Sequence, residues 1–190
     1  MILSILIPTL PERFAVYSEL MLKLADQISA LYDEHPEYKD KIEVLSDNRD
    51  RPVTTGTKRN ALHEAASGEY VWFIDDDDDL FPEAIKDVVL ATVTKPDVIG
   101  INGIMTTNMQ NLVEWEIRIG HPYTEVQRDG KPFYLRFPNH ITPMRREHAI
   151  KVKFPDKVYF EDFEWADQLN KLNVLKTQVV IDREIYHYRK

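Results

Sequence analysis

Residues 70–82 have the sequence YVWFIDDDDDLFP, an apolar run that leads directly into five consecutive aspartates, Asp75–Asp79. The run 70–74 is short and rich in aromatic and β-branched residues, which predicts a buried strand. Adjacent carboxylates repel one another, so such a cluster persists most easily where a divalent cation offsets its charge, and carboxylate oxygens suit Mg²⁺ or Mn²⁺. The alternative interpretation is a solvated acidic turn whose side chains cap a helix at Pro82.

Alternating strand and helix patterns surround this stretch. Short apolar runs at 2–7 and 42–45 predict two further buried strands. Apolar positions three and four apart predict helices over 14–31 and 58–66, and Gly68 is expected at a left-handed helix end. Strands that alternate with helices form right-handed crossovers and a parallel sheet, which binds ligands at the carboxyl ends of its strands. The aspartate run is therefore expected at the ligand-binding edge.

The second half of the chain changes character. Val113, Trp115 and Ile117 alternate with charged or polar residues, which is the period of a half-exposed antiparallel strand, and Trp115 is expected in the core. Pro82 is expected in the first turn of a helix. The other predicted elements are strands at 98–104, 133–137 and 174–181 and helices near 145–150 and 163–172. Together they predict an α/β fold with a central, mostly parallel sheet flanked by helices, and antiparallel strands in the C-terminal half.

Composition restricts the class of protein. The 190 residues are 43% hydrophobic, which suits a single domain over 1–190. The net charge of −8 disfavours a general nucleic-acid binder. The absence of cysteine excludes disulfides, cysteine zinc sites and cysteine nucleophiles, so any metal must use carboxylates or histidine. The opening MILSILIPTL is too short an apolar run for a membrane helix and has no signal-peptide cleavage site, so we expect a cytoplasmic protein without an integral membrane segment.

Five motifs follow one another along the chain, namely ILIPTL, IEVLSDN, GTKRNALHEAASGEYVWF, the aspartate run followed by Pro82, and YFEDFEWADQL. In their order and spacing they resemble the family 2 glycosyltransferases of the GT-A fold. The resemblance covers most of the chain and implies the Rossmann-like, nucleotide-binding GT-A fold. It also implies a nucleotide-sugar-binding half, 1–104, and an acceptor and catalytic-base half, 105–190.

The resemblance implies roles for individual residues. Asp162 aligns with the catalytic base of the family and Glu161 lies beside it, although both also fit carboxylates stabilised at a helix N-terminus. Asp77 would hold the metal, Mn²⁺ or Mg²⁺, and His187, placed after the last strand, is a candidate additional ligand. The expected nucleotide-sugar contacts are Thr9, Glu12, Asp47, Arg59, Asn60, Asp75 and Asp76, of which Thr9 also fits a helix cap.

The sequence contains three further candidate residues, namely His140, Arg145 and Lys58. His140 and Arg145 are weaker candidates for the acceptor or diphosphate side. Lys58 could face the nucleotide, but we expect it to pair with a surface carboxylate such as Glu64.

The implied function is a metal-dependent, inverting transfer of one sugar from a nucleoside-diphosphate sugar, with a UDP-sugar favoured, to a hydroxyl acceptor. A sugar-phosphate nucleotidyltransferase is disfavoured because PTLPERF lacks the glycines of a phosphate-binding loop. A non-catalytic module of the same fold, binding a nucleotide sugar or a divalent cation, is the alternative, but such a module has no use for the Glu161–Asp162 pair. The sequence leaves open the acceptor, which could be a glycan, a lipid-linked sugar, a protein or a modified nucleic-acid base, and the oligomeric state.

Overall fold

The computed structural model describes residues 1–190 and contains ten strands joined in one sheet. The strands are β1 (Leu3–Pro8), β2 (Ile42–Asp47), β3 (Tyr70–Phe73), β4 (Asp79–Leu80), β5 (Val98–Thr107), β6 (Gln110–Ile117), β7 (Thr124–Arg128), β8 (Lys131–Arg136), β9 (Met144–Arg145) and β10 (Gln178–Arg189). The helices are α1 (Phe14–Glu34), α2 (Thr55–Ala65), α3 (Ala84–Ala91), α4 (Arg146–Ala149) and α5 (Glu161–Lys171), with short 3-10 turns at Pro11–Arg13, Pro36–Tyr38 and Thr92–Thr94. None of the helices combines the length and the apolar character that crossing a membrane requires.

The sheet has the order β2-β1-β3-β9-β5-β6-β8-β7, and β10 pairs with β5 and β4. Its N-terminal part is parallel, because β1 pairs in parallel with both β2 and β3. Further along, β10 runs parallel to β5, whereas β5 with β6 and β7 with β8 are antiparallel pairs. The predicted α/β fold, with a largely parallel centre and antiparallel strands in the second half, is confirmed.

Two apolar clusters cover the two faces of the sheet. Leu3, Ile5 and Ile7 of β1 belong to the cluster that contains residues of α1 and α3, whereas Leu6 belongs to the cluster that contains residues of α2 and α5. Successive side chains of a strand point to opposite faces, so a strand covered on both faces is apolar throughout rather than alternating. The apolar run at the start of the sequence, which Ser4 alone interrupts, follows from this burial. Trp115 lies in the core, as predicted.

Two of the predicted turns differ in the structure. Gly68 does not have a positive φ angle, and α2 ends earlier, at Ala65. Gly68 is required instead for a close approach to β1: a Cβ atom there would lie 2.6 Å from the backbone nitrogen of Ser4. Pro82 lies ahead of α3 rather than in its first turn, because the Phe81 N–H donates to the Ile185 carbonyl at 3.1 Å and keeps the chain paired with β10.

The last strand is longer than predicted and lies later in the chain. It was expected at 174–181 but spans Gln178–Arg189, so His187 lies within β10 rather than after it. The strands β4 and β9 have two residues each, which is too short for a recognisable period, and the exposed β7 was also not predicted. These strands form because β5, β8 and β10 are available as partners, and that pairing exists only in the tertiary structure.

Candidate active site

Three parallel strands end at one edge of the sheet and bring together residues that were predicted to contact the nucleotide sugar. Asp47 is the last residue of β2, Thr9 follows β1, and Asp75 lies two residues beyond β3. The Thr9 N–H donates to the Asp47 carbonyl at 3.0 Å, which joins the ends of β1 and β2. The Thr9 hydroxyl donates to Asp76 at 2.6 Å and caps no helix. The expected position of the aspartate run at the carboxyl edge is therefore observed.

The aspartate run is held by specific partners and is not a solvated turn. Asp76 is buried and accepts a hydrogen bond from Arg13 Nη1 at 2.6 Å, and the same nitrogen donates to Asp77 at 2.9 Å. Asp78 is also buried and accepts from the Tyr186 hydroxyl at 2.7 Å and from the Arg189 N–H at 2.9 Å. No side chain caps α3, so the helix-capping interpretation is wrong.

The five carboxyl groups are electrostatically unequal. Burial opposes ionisation of Asp75, but Arg59 and His140 outweigh it and hold the pKa of Asp75 well below its ordinary value. Burial, together with the charges of Asp75 and Asp76, raises the pKa of Asp77 despite the neighbouring Arg13. Burial and Asp75 raise the pKa of Asp78 well above its ordinary value. The run thus combines a firmly ionised carboxylate with two whose negative charge is disfavoured.

Asp77 is the residue of the run that fits a divalent cation. Mg²⁺ commonly binds through one or two carboxylates and completes its shell with water and substrate phosphates. The Asp77 side chain is 47% exposed, and a bound cation would relieve the repulsion that raises its pKa. No three histidine or acidic side chains come together as a metal-binding group. An ion at Asp77 would therefore complete its shell with water and substrate oxygens. Asp77 as a metal ligand stays a prediction.

His187 does not lie in a shared metal group with Asp77. Its Nε2 is 2.8 Å from the Thr106 hydroxyl, and its ring stacks on Phe81. Burial lowers the pKa of His187. These contacts follow from its position inside β10, opposite Asp79 of β4. They give His187 a packing role, and its predicted role as a metal ligand stays a prediction.

The Glu161–Asp162 pair faces the aspartate run across the site. Both residues lie in the first turn of α5, after Phe160, which has a left-handed backbone with φ of 64°. Glu161 is buried and accepts from Arg59 Nε at 3.3 Å, whereas Asp162 is 39% exposed and lies 3.4 Å from His140 Nδ1. Burial raises the pKa of Glu161, although Arg59 opposes the effect. The exposed carboxylate of the pair is thus the one aligned with the base.

Two side chains connect the aspartate run to this pair. Arg59 donates to Asp75 at 2.8 Å as well as to Glu161, and His140 Nε2 is 3.3 Å from Asp75. Arg59 was predicted to face the nucleotide, but it is buried and bridges the two acidic groups. Its position is a consequence of α2 packing against both β1 and α5.

Lys58 is also buried, which corrects its predicted pairing with Glu64. Its Nζ donates to the Thr9 carbonyl at 2.6 Å. Burial lowers the pKa of Lys58, and the nearby charges of Asp47 and Asp76 offset only part of this decrease. Glu64 pairs with Lys153 instead. A cation is therefore present among the carboxylates of the donor edge.

Three other predicted residues lie elsewhere. The Asn60 amide nitrogen donates to the Phe154 carbonyl and its amide oxygen accepts from the Phe154 N–H, at 2.9 Å each. Asn60 therefore has a structural role. Glu12 lies at the exposed rim, 3.6 Å from Arg51. Arg145 pairs in β9 with Tyr70, the first residue of β3, so it lies at the opposite edge of the sheet and is not on the acceptor or diphosphate side. Its guanidinium pairs with acidic residues there, namely Glu69 and Glu147.

Sequence reasoning missed two arginines of the site. Arg13 contacts Asp76 and Asp77, and Arg49 donates from Nε to both oxygens of Asp47, at 2.9 and 3.0 Å. Burial opposes ionisation of Asp47, but Arg49 outweighs it and lowers the pKa of Asp47. Arg13 ends the 3-10 turn after β1, and Arg49 lies in the loop after β2, so both follow a strand of the carboxyl edge. That position is the signal that could have identified them.

The sequence model of the family described as glycosyl transferase family 2 matches residues 24–153. This chain belongs to that family. The match includes Asp47, the aspartate run and His140, and it ends before Glu161. The predicted family is confirmed, and with it the assignment of the chain as a glycosyltransferase domain. A comparison with curated proteins gave no sequence match.

Several solved structures share the fold of this glycosyltransferase domain. S. aureus TarS 1–349 in complex with UDP-GlcNAc superposes with a TM-score of 0.63 at 17% identity, and the match covers 100% of this chain and 59% of the TarS chain. The complex of the same protein with UDP gives 0.61 at 18% identity, covering 100% and 61%. TarS itself gives 0.59 at 16% identity, covering 100% and 37%. This chain thus spans about three fifths of the TarS 1–349 structures, and the likeness establishes the GT-A fold.

Proposed function

We propose that this domain transfers one sugar from a nucleoside-diphosphate sugar, with a UDP-sugar favoured, to a hydroxyl acceptor with inversion at the anomeric carbon, using Mn²⁺ or Mg²⁺. The observation that carries the proposal is the meeting of the aspartate run with the Glu161–Asp162 pair across one edge of the sheet. Family membership and the UDP and UDP-GlcNAc bound by the similar TarS structures support this choice of donor.

The donor would lie along the ends of β2, β1 and β3. In this proposal Asp47 faces the base and Asp75 the ribose, with Thr9 and Asp76 beside them. Lys58 would contribute positive charge close to this position, because its buried Nζ lies at the Thr9 carbonyl. Asp77, the exposed carboxylate, would hold the cation.

Asp162 would act as the general base. As the acceptor oxygen forms its bond to the anomeric carbon, the bond from that carbon to the diphosphate oxygen breaks, and the acceptor proton passes to Asp162. Its exposure allows an acceptor to approach it, while the buried Glu161 is held by Arg59 and is suited to position α5. The cation, when bound, would supply charge neutralisation for the departing nucleoside diphosphate.

Nucleotide binding can be tested by thermal denaturation. A ligand that binds only the folded state raises the melting temperature. We expect at least one of UDP, GDP, dTDP and CDP to raise it in the presence of Mn²⁺, and Asp77→Ala to abolish the increase. Asp26→Ala, at an exposed position of α1, is the matched control and should preserve it. An unchanged melting curve of the wild type with all four nucleotides would refute the proposal.

Turnover separates an enzyme from a binding module of the same fold. We expect slow hydrolysis of the nucleotide sugar that corresponds to the bound nucleotide, dependent on Mn²⁺ or Mg²⁺. Binding without turnover, under conditions in which transfer to candidate acceptors is also absent, would favour the non-catalytic module. When a product forms, the coupling constant of its anomeric proton shows whether the configuration has been inverted.

A further inference from the structure

His140 lies in the loop between β8 and β9, in a backbone that is held on several sides. Asn139 and Thr142 close the loop, since the Thr142 N–H donates to the Asn139 carbonyl at 3.0 Å and the Asn139 N–H donates to the Thr142 hydroxyl at 3.1 Å. The Trp72 indole N–H donates to the Ile141 carbonyl at 2.8 Å, which attaches the loop to β3. His140 itself is only 7% exposed. The ring is therefore presented by a rigid support.

The two ring nitrogens of His140 face carboxylates from opposite sides of the site. Nε2 lies 3.3 Å from Asp75 Oδ2, and Nδ1 lies 3.4 Å from Asp162 Oδ2. The imidazole ring therefore stands between the carboxylate that follows β3 and the carboxylate in the first turn of α5. Arg59 makes a second connection between the same two parts of the site, because it contacts both Asp75 and Glu161.

The two contacts of the His140 ring differ in kind, because only the Asp75 contact has hydrogen-bond geometry. Nδ1 is buried and makes no aligned hydrogen bond, and Asp162 is the group at ion-pair distance from it. A buried N–H without a partner is unfavourable, so a ring that carries its proton at Nδ1 favours orientations of the Asp162 carboxylate that complete this bond. The carboxylate nevertheless remains partly exposed toward solvent, where an acceptor would approach.

We propose that His140 is a positioning residue that orients the base Asp162 and couples its placement to the donor-side carboxylate Asp75. The proposal rests on the proposed function for the role of Asp162 as base, but the contact itself can be measured separately. A donor that moves Asp75 would act through the His140 ring on Asp162, so donor binding and base orientation are linked. A purely structural histidine would support the loop without this link.

The contact is tested by side-chain ¹H–¹⁵N NMR of the histidine rings in the full chain. We expect Asp162→Asn to shift the His140 ring signals and to leave those of His148 unchanged. His148 is the matched control, because it pairs with Asp97 at 2.9 Å, at the amino end of β5. Asp97→Asn should have the reverse effect. Unchanged His140 ring signals in Asp162→Asn would overturn the proposal, and this result does not depend on any measured activity.

The consequence for catalysis is tested by a double-mutant cycle on consumption of UDP-GlcNAc with Mn²⁺. His140→Gln should lower kcat by up to about 100-fold with a smaller change in KM, because it misplaces the base. In the Asp162→Asn background the same substitution should have little further effect. Effects that multiply would overturn the proposal. His140→Asn serves as the second variant if the glutamine protein does not fold, and His148→Gln should retain the wild-type rate.

The two proposals fail in different ways. A wild type that consumes no donor and is not stabilised by any nucleotide contradicts the proposed function. The NMR comparison alone then shows whether His140 contacts Asp162. Donor consumption in which the rate effects of the His140 and Asp162 substitutions multiply contradicts the coupling and leaves the proposed function intact.

Discussion

His63 of α2 should make the stability of this domain sensitive to mild acid. The side chain is 4% exposed, its Nε2 has no hydrogen-bond partner, and its ring packs among three aromatic rings with centroid distances of 4.9, 5.5 and 6.1 Å, those of Phe73, Phe154 and Trp165. Burial lowers the pKa of His63 from its ordinary 6.5 to about 3, and the charges of Arg59 and Arg146 contribute to the decrease. The neutral ring is therefore the form that the fold accepts.

The sign of the effect follows from the direction of the pKa change. The unfolded chain binds the proton with the ordinary pKa, whereas the folded chain resists it, so the stability from His63 is complete above pH 6.5 and is lost as the pH falls toward 3. Each pH unit below 6.5 costs about 1.4 kcal/mol. At pH 5.0 the loss amounts to about 2 kcal/mol, a large fraction of the 5–15 kcal/mol that is typical of a domain.

The measurement is urea unfolding of the wild type and of His63→Leu at pH 7.5 and pH 5.0. Leucine cannot be protonated and suits the apolar surroundings, so the wild type should lose about 2 kcal/mol more than the variant between the two pH values. Comparing the two proteins removes the contributions of all other titrating groups. Equal losses in both proteins would show that His63 accepts a proton in the folded state, and the reasoning would be refuted.

Three further substitutions test the site and the fold. Asp162→Asn should lower sugar transfer by about 10²–10⁴-fold while nucleotide binding persists, and transfer near the wild-type rate would exclude Asp162 as the base. Lys58→Met removes the buried ammonium at the Thr9 carbonyl and should weaken UDP binding by about tenfold or more in calorimetry, so an unchanged Kd would contradict a donor role. Gly56→Ala places a Cβ in steric overlap with the Pro155 carbonyl oxygen and should lower the free energy of unfolding by about 1–3 kcal/mol. Wild-type stability of the variant would show that the backbone at Pro155 can move away without cost.

The elements of the parallel half were predictable because their signals are local. The apolar run of β1 and the period of α1 mark elements that the structure reproduces to within a few residues. The start of α2 was predicted at residue 58 but lies at Thr55, where the Thr54 side chain accepts from the Thr57 N–H. A threonine at that position is a recognisable cap, so this boundary was available from the sequence. The extension of β10 to Arg189 was not, because it depends on pairing with β5 and β4.

The candidate site was predictable in position but not in its contacts. Residues that follow β1, β2 and β3 had to meet at one edge, because parallel strands bring their carboxyl ends together. That argument placed Thr9, Asp47 and Asp75 correctly. It could not place Lys58, whose burial depends on the loop after β1 lying over α2, nor Arg145, which the antiparallel β9 carries to the other edge.

The sequence by itself determined the α/β class, the family and the edge of the sheet at which the carboxylates gather, because apolar periodicity and the order of motifs are properties of short segments. Only the tertiary structure decided which cation each carboxylate contacts. Arg13 contacts Asp76, Arg59 contacts Asp75 and Glu161, and His140 lies between Asp75 and Asp162. Such pairs join segments that are remote in the chain, and their formation depends on the distances and burial that exist only after the helices have packed on the sheet.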